Sequence, residues 1–109
     1  MELDGRDASV AFLRDLVDRF PHNVALIQTA AEFLREEQPD EAERLVRRLV
    51  EFNPVDPWAR RELAIVLTIQ RRFDEALEEI TAAIPLDPTN SVSYSIHGRI
   101  LETLTRLPE

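Results

Sequence analysis

Apolar side chains recur along this chain every three or four residues, in blocks broken by proline, asparagine and aspartate. Each block has the spacing of one helix face. Val10, Leu13, Val17 and Phe20 make the first stripe, on a helix expected from an Asp7 N-cap to about Arg19. After the turn Phe20-Pro21-His22-Asn23, Leu26, Ile27, Ala30, Phe33 and Leu34 mark a second helix to about Arg35. Pro39 suits the first turn of a third helix, where its missing N–H costs nothing, and Asp40 and Glu41 suit the positive end of that helix. Ala42, Leu45, Val46, Leu49 and Val50 face inward, and the helix ends near Glu51. Asp56-Pro57 signals the N-cap and first position of a fourth helix, with Leu63, Ala64 and Leu67 inward and an end near Gln70. Arg71 and Arg72 make a turn. A fifth helix from Phe73 carries Ala76, Leu77, Ile80 and Ala83, then meets Pro85, which removes a backbone donor and biases Ile84 away from helical geometry. It should end sooner than the third helix, which has Glu51 at that place. A sixth helix is expected from about Ser91 to Arg106.

Two of these blocks are copies. Ala30 and Ala42 lie twelve residues apart, as do Ala64 and Ala76, and the step from Ala30 to Ala64 is 34 residues. The same step separates Ala42 from Ala76 and Pro54 from Pro88, and Asp40-Glu41-Ala42 returns as Asp74-Glu75-Ala76. A fixed period of this size predicts an array of helical hairpins. The small residues have a physical reason: antiparallel helices approach closely only where side chains are short. Ala30 is expected to face Ala42, and Ala64 to face Ala76, with Phe33, Val46, Leu67 and Ile80 filling the space beside each crossing. One hairpin cannot bury its apolar face alone, so stacking is obligatory.

The periodic residues resemble the tetratricopeptide repeat, whose pattern is W-x₂-L-G-x₂-Y, then A-x₃-F, then P. The middle copy reads Arg60-x₂-Leu63-Ala64-x₂-Leu67, Ala76-x₃-Ile80, Pro88. The first reads Leu26-x₂-Thr29-Ala30-x₂-Phe33, Ala42-x₃-Val46, Pro54, and a third begins Tyr94-x₂-His97-Gly98-x₂-Leu101. Thr29, His97 and Arg60 depart from the family's preferred leucines and tryptophan. The resemblance implies an all-α fold of antiparallel hairpins stacked as a short right-handed solenoid, and a protein-binding role. The expected organisation is a cap helix over 1–21 and a repeat domain over 22–109, with repeats at about 23–56 and 57–90 and an incomplete one at 91–109.

Composition narrows the chemistry. A net charge of −8, with every basic residue an arginine, argues against nucleic acid, whose binding draws on neutralised phosphates. There is no cysteine, hence no disulfide, thiolate metal site or cysteine nucleophile. No apolar run reaches membrane-spanning length, and the polar start MELDGRD is unlike a signal peptide, so a cytoplasmic protein without membrane contact is expected. No phosphate loop, metal spacing or nucleophile constellation is present, so no catalytic, cofactor or metal site is expected, and the chain reads as no enzyme. His97 is expected to be a half-buried structural imidazole and His22 solvent-facing; Arg44, Arg47 and Arg48 should pair with nearby acids.

Two surfaces remain as candidates. The first helix of each repeat should line a concave groove, through Val24, Ile27, Ala31 and Leu34, then Trp58, Arg61, Ile65, Thr68 and Ile69, then Val92, Ser95, Arg99 and Glu102. This face is apolar enough to take a partner helix or extended segment. Some family members hold peptide carboxylates there through lysine, asparagine and arginine; the matching places here hold Ile27, Ala31, Arg61, Ile65, Ser95 and Arg99, with arginine the one such type among them, so that clamp is not expected. The second surface is on the last helix: Tyr94, Gly98, Leu101 and Leu104 are shaped for a partner helix, and the sequence stops one residue before the next small crossing position. A fragment of a longer repeat protein, with self-association through this face and a homodimer as its simplest form, is the expectation. The rival to partner binding is a structural self-association or spacer module within a larger protein.

Overall fold

The structure, a computed structural model, describes residues 5–106. Six α-helices follow one another, with no strand among the described residues: α1 (Gly5–Arg19), α2 (Val24–Leu34), α3 (Pro39–Phe52), α4 (Pro57–Ile69), α5 (Phe73–Ala83) and α6 (Ser91–Arg106), with a 3₁₀ turn at Ile84–Leu86. Each helix packs on its neighbours in sequence, and α4 also touches α6. This is an all-α solenoid of helical hairpins.

The helix starts follow local chemistry. The Asn23 side chain accepts a hydrogen bond from the Leu26 amide at 3.1 Å, and Asp56 accepts from Trp58 at 3.0 Å, while Pro39 and Pro57 occupy first-turn positions. Asp7 lies inside the first turn of α1, which begins at Gly5, rather than capping it. The α4–α5 turn is closed by two reverse bonds, Arg72 N–H to Leu67 C=O and Arg71 N–H to Thr68 C=O, both 2.9 Å. That pattern requires a left-handed residue at its centre, and Arg71 supplies it with φ 63° where glycine would be unstrained. Pro85 acts as expected: α5 stops at Ala83, whereas α3 continues to Phe52, three residues past Leu49, the equivalent of Ala83 one period earlier.

The core is continuous from α1 to α6. Ala30, Ala42, Ala64 and Ala76 are all buried, with Val46, Leu67 and Ile80 fully enclosed beside them and Phe33 packed against them. The α4–α5 hairpin shares the most extensive contact of any pair of elements. α1 packs chiefly on α2 through Val10 and Val17. Residues 107–109, which lead up to the next expected crossing position, lie outside the described residues.

Candidate functional site

α2, α4 and α6 place their exposed faces side by side and enclose two shallow hollows. The larger, about 400 Å³, is lined by Glu32 of α2 and Arg35 at its C-cap, Trp58, Arg61, Glu62 and Ile65 of α4, and Asn90 and Val92 at the start of α6. The smaller, about 230 Å³, lies between Glu36, Ile65, Thr68, Ile69, Ile96, Arg99 and Ile100. Ile65 forms the ridge common to both.

Sequence and structure place these residues differently along the array. Trp58, Arg61, Ile65, Thr68, Ile69, Val92 and Arg99 come together in the two hollows, and Ser95 is exposed on α6. Val24 is 43% exposed on α2 but lines neither hollow. Ile27, Ala31 and Leu34 are core side chains at 0–1% exposure, and Leu34 faces a separate cleft under α1. Exposure at equivalent positions grows along the chain: Ile27 is buried, Arg61 intermediate and Ser95 exposed, as are Ala31, Ile65 and Arg99 in turn. α2 is enclosed by α1 and α3, whereas no described helix packs beyond α6.

The contribution of α2 to the hollows is charged instead. One guanidinium nitrogen of Arg35 lies 3.0 Å from both carboxylate oxygens of Glu62, whose side chain is 5% exposed. Burial pushes the Glu62 carboxyl above its ordinary range; Arg35 pulls it back, and Glu32 and Glu36 push it up further. Glu62 left no mark in the periodicity because its equivalents are Gln28 and Ile96. Arg61 is the other half-buried cation of the site. Its nearest carboxylate is Asp87 at 3.6 Å, too long for a hydrogen bond, and its Nη1 is buried without an acceptor.

On the far side of α6, Tyr94 and Leu101 are 49% and 40% exposed, and the space over Gly98 is open. Leu104 instead packs against the core. The Tyr94 hydroxyl donates to the Pro88 carbonyl at 2.7 Å, which holds the ring against the preceding turn. His97 is half-buried, and His22 is exposed with its ring centroid 5.9 Å from that of Phe52. Among the described residues no group of His, Cys, Asp and Glu could hold a metal ion, and no helix is long and apolar enough to cross a membrane.

Comparison with known proteins agrees with this architecture. The chain is 34% identical over 92 residues to UPF0162 protein PM0557 of Pasteurella multocida, an alignment covering 82% of the chain and 33% of the relative. It is 33% identical over 86 residues to anaphase-promoting complex subunit 3 of Schizosaccharomyces pombe, covering 79% of the chain and 13% of that protein. The chain thus spans only a minor part of the length of these two relatives. Among solved structures, MamA MSR-1 superposes with a TM-score of 0.79 at 22% identity over 94% of the chain and 59% of MamA. A MamA RS-1 double mutant superposes at 0.82 with 15% identity, over 94% of the chain and 58% of its own, a likeness of fold alone. The tetratricopeptide repeat pattern itself matches residues 33–100, from the end of α2 into α6. With that span covering more than half of the sequence, and with hairpins repeating every 34 residues, the chain belongs to the tetratricopeptide repeat family.

Proposed function

We propose that this repeat domain is a protein-interaction module that takes a helix or extended segment of a partner across the face of α2, α4 and α6. The observation that carries this reading is the hollow of about 400 Å³ in which Trp58 and Ile65 flank Arg61, whose nearest carboxylate is 3.6 Å away. An apolar partner side chain would sit on Trp58 and Ile65 while a carbonyl or carboxylate of its backbone or side chain approaches the accessible edge of the Arg61 side chain. Tryptophan and arginine are the residue types that most often anchor interfaces. Trp58, Arg61, Ile65, Ile69 and Arg99 are the contact residues of this reading, with Val24 and Ser95 at its margins; Ile27, Ala31 and Leu34 act through the core beneath. The relative named as a complex subunit is consistent with such a role. Partner capture from the native host, repeated with Trp58→Ala and Ile65→Asp, tests it. Loss of the captured protein with an unchanged helical spectrum supports the groove; retention in both folded variants removes it.

A second reading rests on the outer face of α6. Exposed Tyr94 and Leu101 flank the open surface over Gly98, the geometry of a seat for one more helix, from a second copy or from a longer chain. Light scattering over a concentration series should show self-association that Leu101→Lys abolishes. A strict monomer at high concentration ends the homodimer reading.

A further inference from the structure

The cleft under α1 carries a site that the groove does not use. α1, α2 and α3 border a hollow of about 270 Å³, lined by Leu13 and Val17 of α1, Ala30 and Leu34 of α2 and Leu45 of α3. Its rim is ionic. Arg14 and Glu41 neutralise each other, with the Arg14 Nε 2.8 Å from both carboxylate oxygens. That leaves Asp18 on one side and Arg44 and Arg48 on the other.

The two arginines are unusual in this chain. Arg47, between them, pairs with Glu43 at 2.8 Å, as expected of all three. The side chains of Arg44 and Arg48 make no ion pair or hydrogen bond; among the described residues Arg99 shares that condition, and so does Arg71 apart from its stacking over the Phe73 ring. Four residues apart on α3, they project from one face of the helix. The rim therefore has an excess of positive charge on a protein whose net charge is −8.

The device belongs to this interval and not to the repeat. One period after Leu13 and Val17 stand Arg47 and Glu51, and after Arg44, Leu45 and Arg48 stand Glu78, Glu79 and Ala82. Glu79 there is closed by Arg60 at 2.9 Å. Among the described residues, the apolar lining beneath two unpaired arginines belongs to the cleft between α1 and α3 and is not repeated one period on.

We propose that the α1–α3 cleft binds a medium-length aliphatic carboxylate, its stem along Leu13, Val17 and Leu45 and its head between Arg44 and Arg48. The hollow, open to solvent along its rim, holds at most the liquid volume of roughly nine waters, and a methylene takes about the room of one water, so the seven-carbon stem of an eight-carbon acid is within its limit. A carboxylate head gains charge-assisted hydrogen bonds from the guanidinium groups that a hydroxyl head does not.

Titration of the chain with octanoate, followed by calorimetry and methyl shifts, tests the assignment. Saturable binding is expected, with the shifts at Leu13, Val17 and Leu45. Octanol, which lacks the charge, and acetate, which lacks the stem, should each bind at least about tenfold more weakly. Arg44→Gln with Arg48→Gln should cost about tenfold or more, whereas Arg106→Gln, removing an exposed arginine from the last turn of α6, should change nothing. The proposal is overturned by absence of saturable binding, by octanol binding equally well, by undiminished binding in the folded double variant, or by shifts confined to the α2–α4–α6 face.

Discussion

Arg35 at the C-cap of α2 and Glu62 on α4 form an ion pair across the interface between two successive repeats, with both carboxylate oxygens 3.0 Å from one guanidinium nitrogen. Glu62 is nearly inaccessible and Arg35 a third exposed, so the acid bears most of the desolvation. Its carboxyl is raised by burial, which makes the folded state the better proton binder. Stability from Glu62 should therefore increase as pH falls through the raised value towards 4.5, the ordinary value for a free glutamate. Urea midpoints of wild type and Glu62→Gln, compared from pH 7 down to that region, should move apart in favour of wild type on acidification.

Glu43 should do the opposite. Burial pushes its carboxyl up, but hydrogen bonds from Arg47, Gln70 and Arg72 outweigh that and hold it below the ordinary value. Its contribution is present above pH 4.5 and lost as pH falls through the lowered folded value. Glu43→Gln should destabilise by about 1–2 kcal/mol at neutral pH, with the difference from wild type vanishing in acid. A constant difference across the titration would contradict the assignment.

Ser93 is wholly buried and its Oγ has no hydrogen-bond partner. One period earlier the position is Ala59, also wholly buried. Ser93→Ala should raise stability by about 1 kcal/mol, because it removes an unsatisfied polar atom without opening much space. A lower thermal midpoint for the variant would show that the hydroxyl has a partner.

Ala42 and Ala76 are fully enclosed, as the expected crossings of the hairpin helices require. Replacing either by leucine should destabilise by about 1–3 kcal/mol through overpacking. Equal urea midpoints for wild type and both variants would place the helix crossings elsewhere.

Two backbone sites give opposite expectations. Arg71 holds φ 63° and stacks its guanidinium 5.5 Å from the Phe73 ring centroid. Arg71→Gly relieves the left-handed strain but loses that contact and loosens the unfolded chain, so it should change stability by less than about 0.5 kcal/mol. Arg71→Val, branched at Cβ, should cost about 1–2 kcal/mol. Pro85→Glu should be neutral or stabilising, since it restores a backbone donor where α5 now breaks into a 3₁₀ turn. Circular dichroism with urea melts on the three variants checks both.

The hairpins were legible because Ala30, Ala42, Ala64 and Ala76 repeat in a register that only one helix crossing satisfies. The shortened α5 was legible because a single proline carries its own geometry. Ile27, Ala31 and Leu34 misled for a different reason: helical spacing shows which face is apolar, not how many neighbours cover it. α2 is enclosed by flanking helices, and α6 is open on one side, so equivalent residues have opposite exposures. The Arg35–Glu62 pair and the unpaired Arg44 and Arg48 depend on which side chains meet across separate helices, and no local pattern encodes that.

The α4–α5 hairpin has the most extensive contact in the molecule, joined by a turn of three residues, Gln70 to Arg72. In an array whose units touch only their neighbours, stability is distributed unevenly and openings start at the ends. Amide exchange should accordingly be slowest at Leu67, Ala76 and Ile80 and quicken outward in both directions. α1 would then detach before the hairpin melts, exposing Ala30 and Leu34 to water while the rest of the protein is still native.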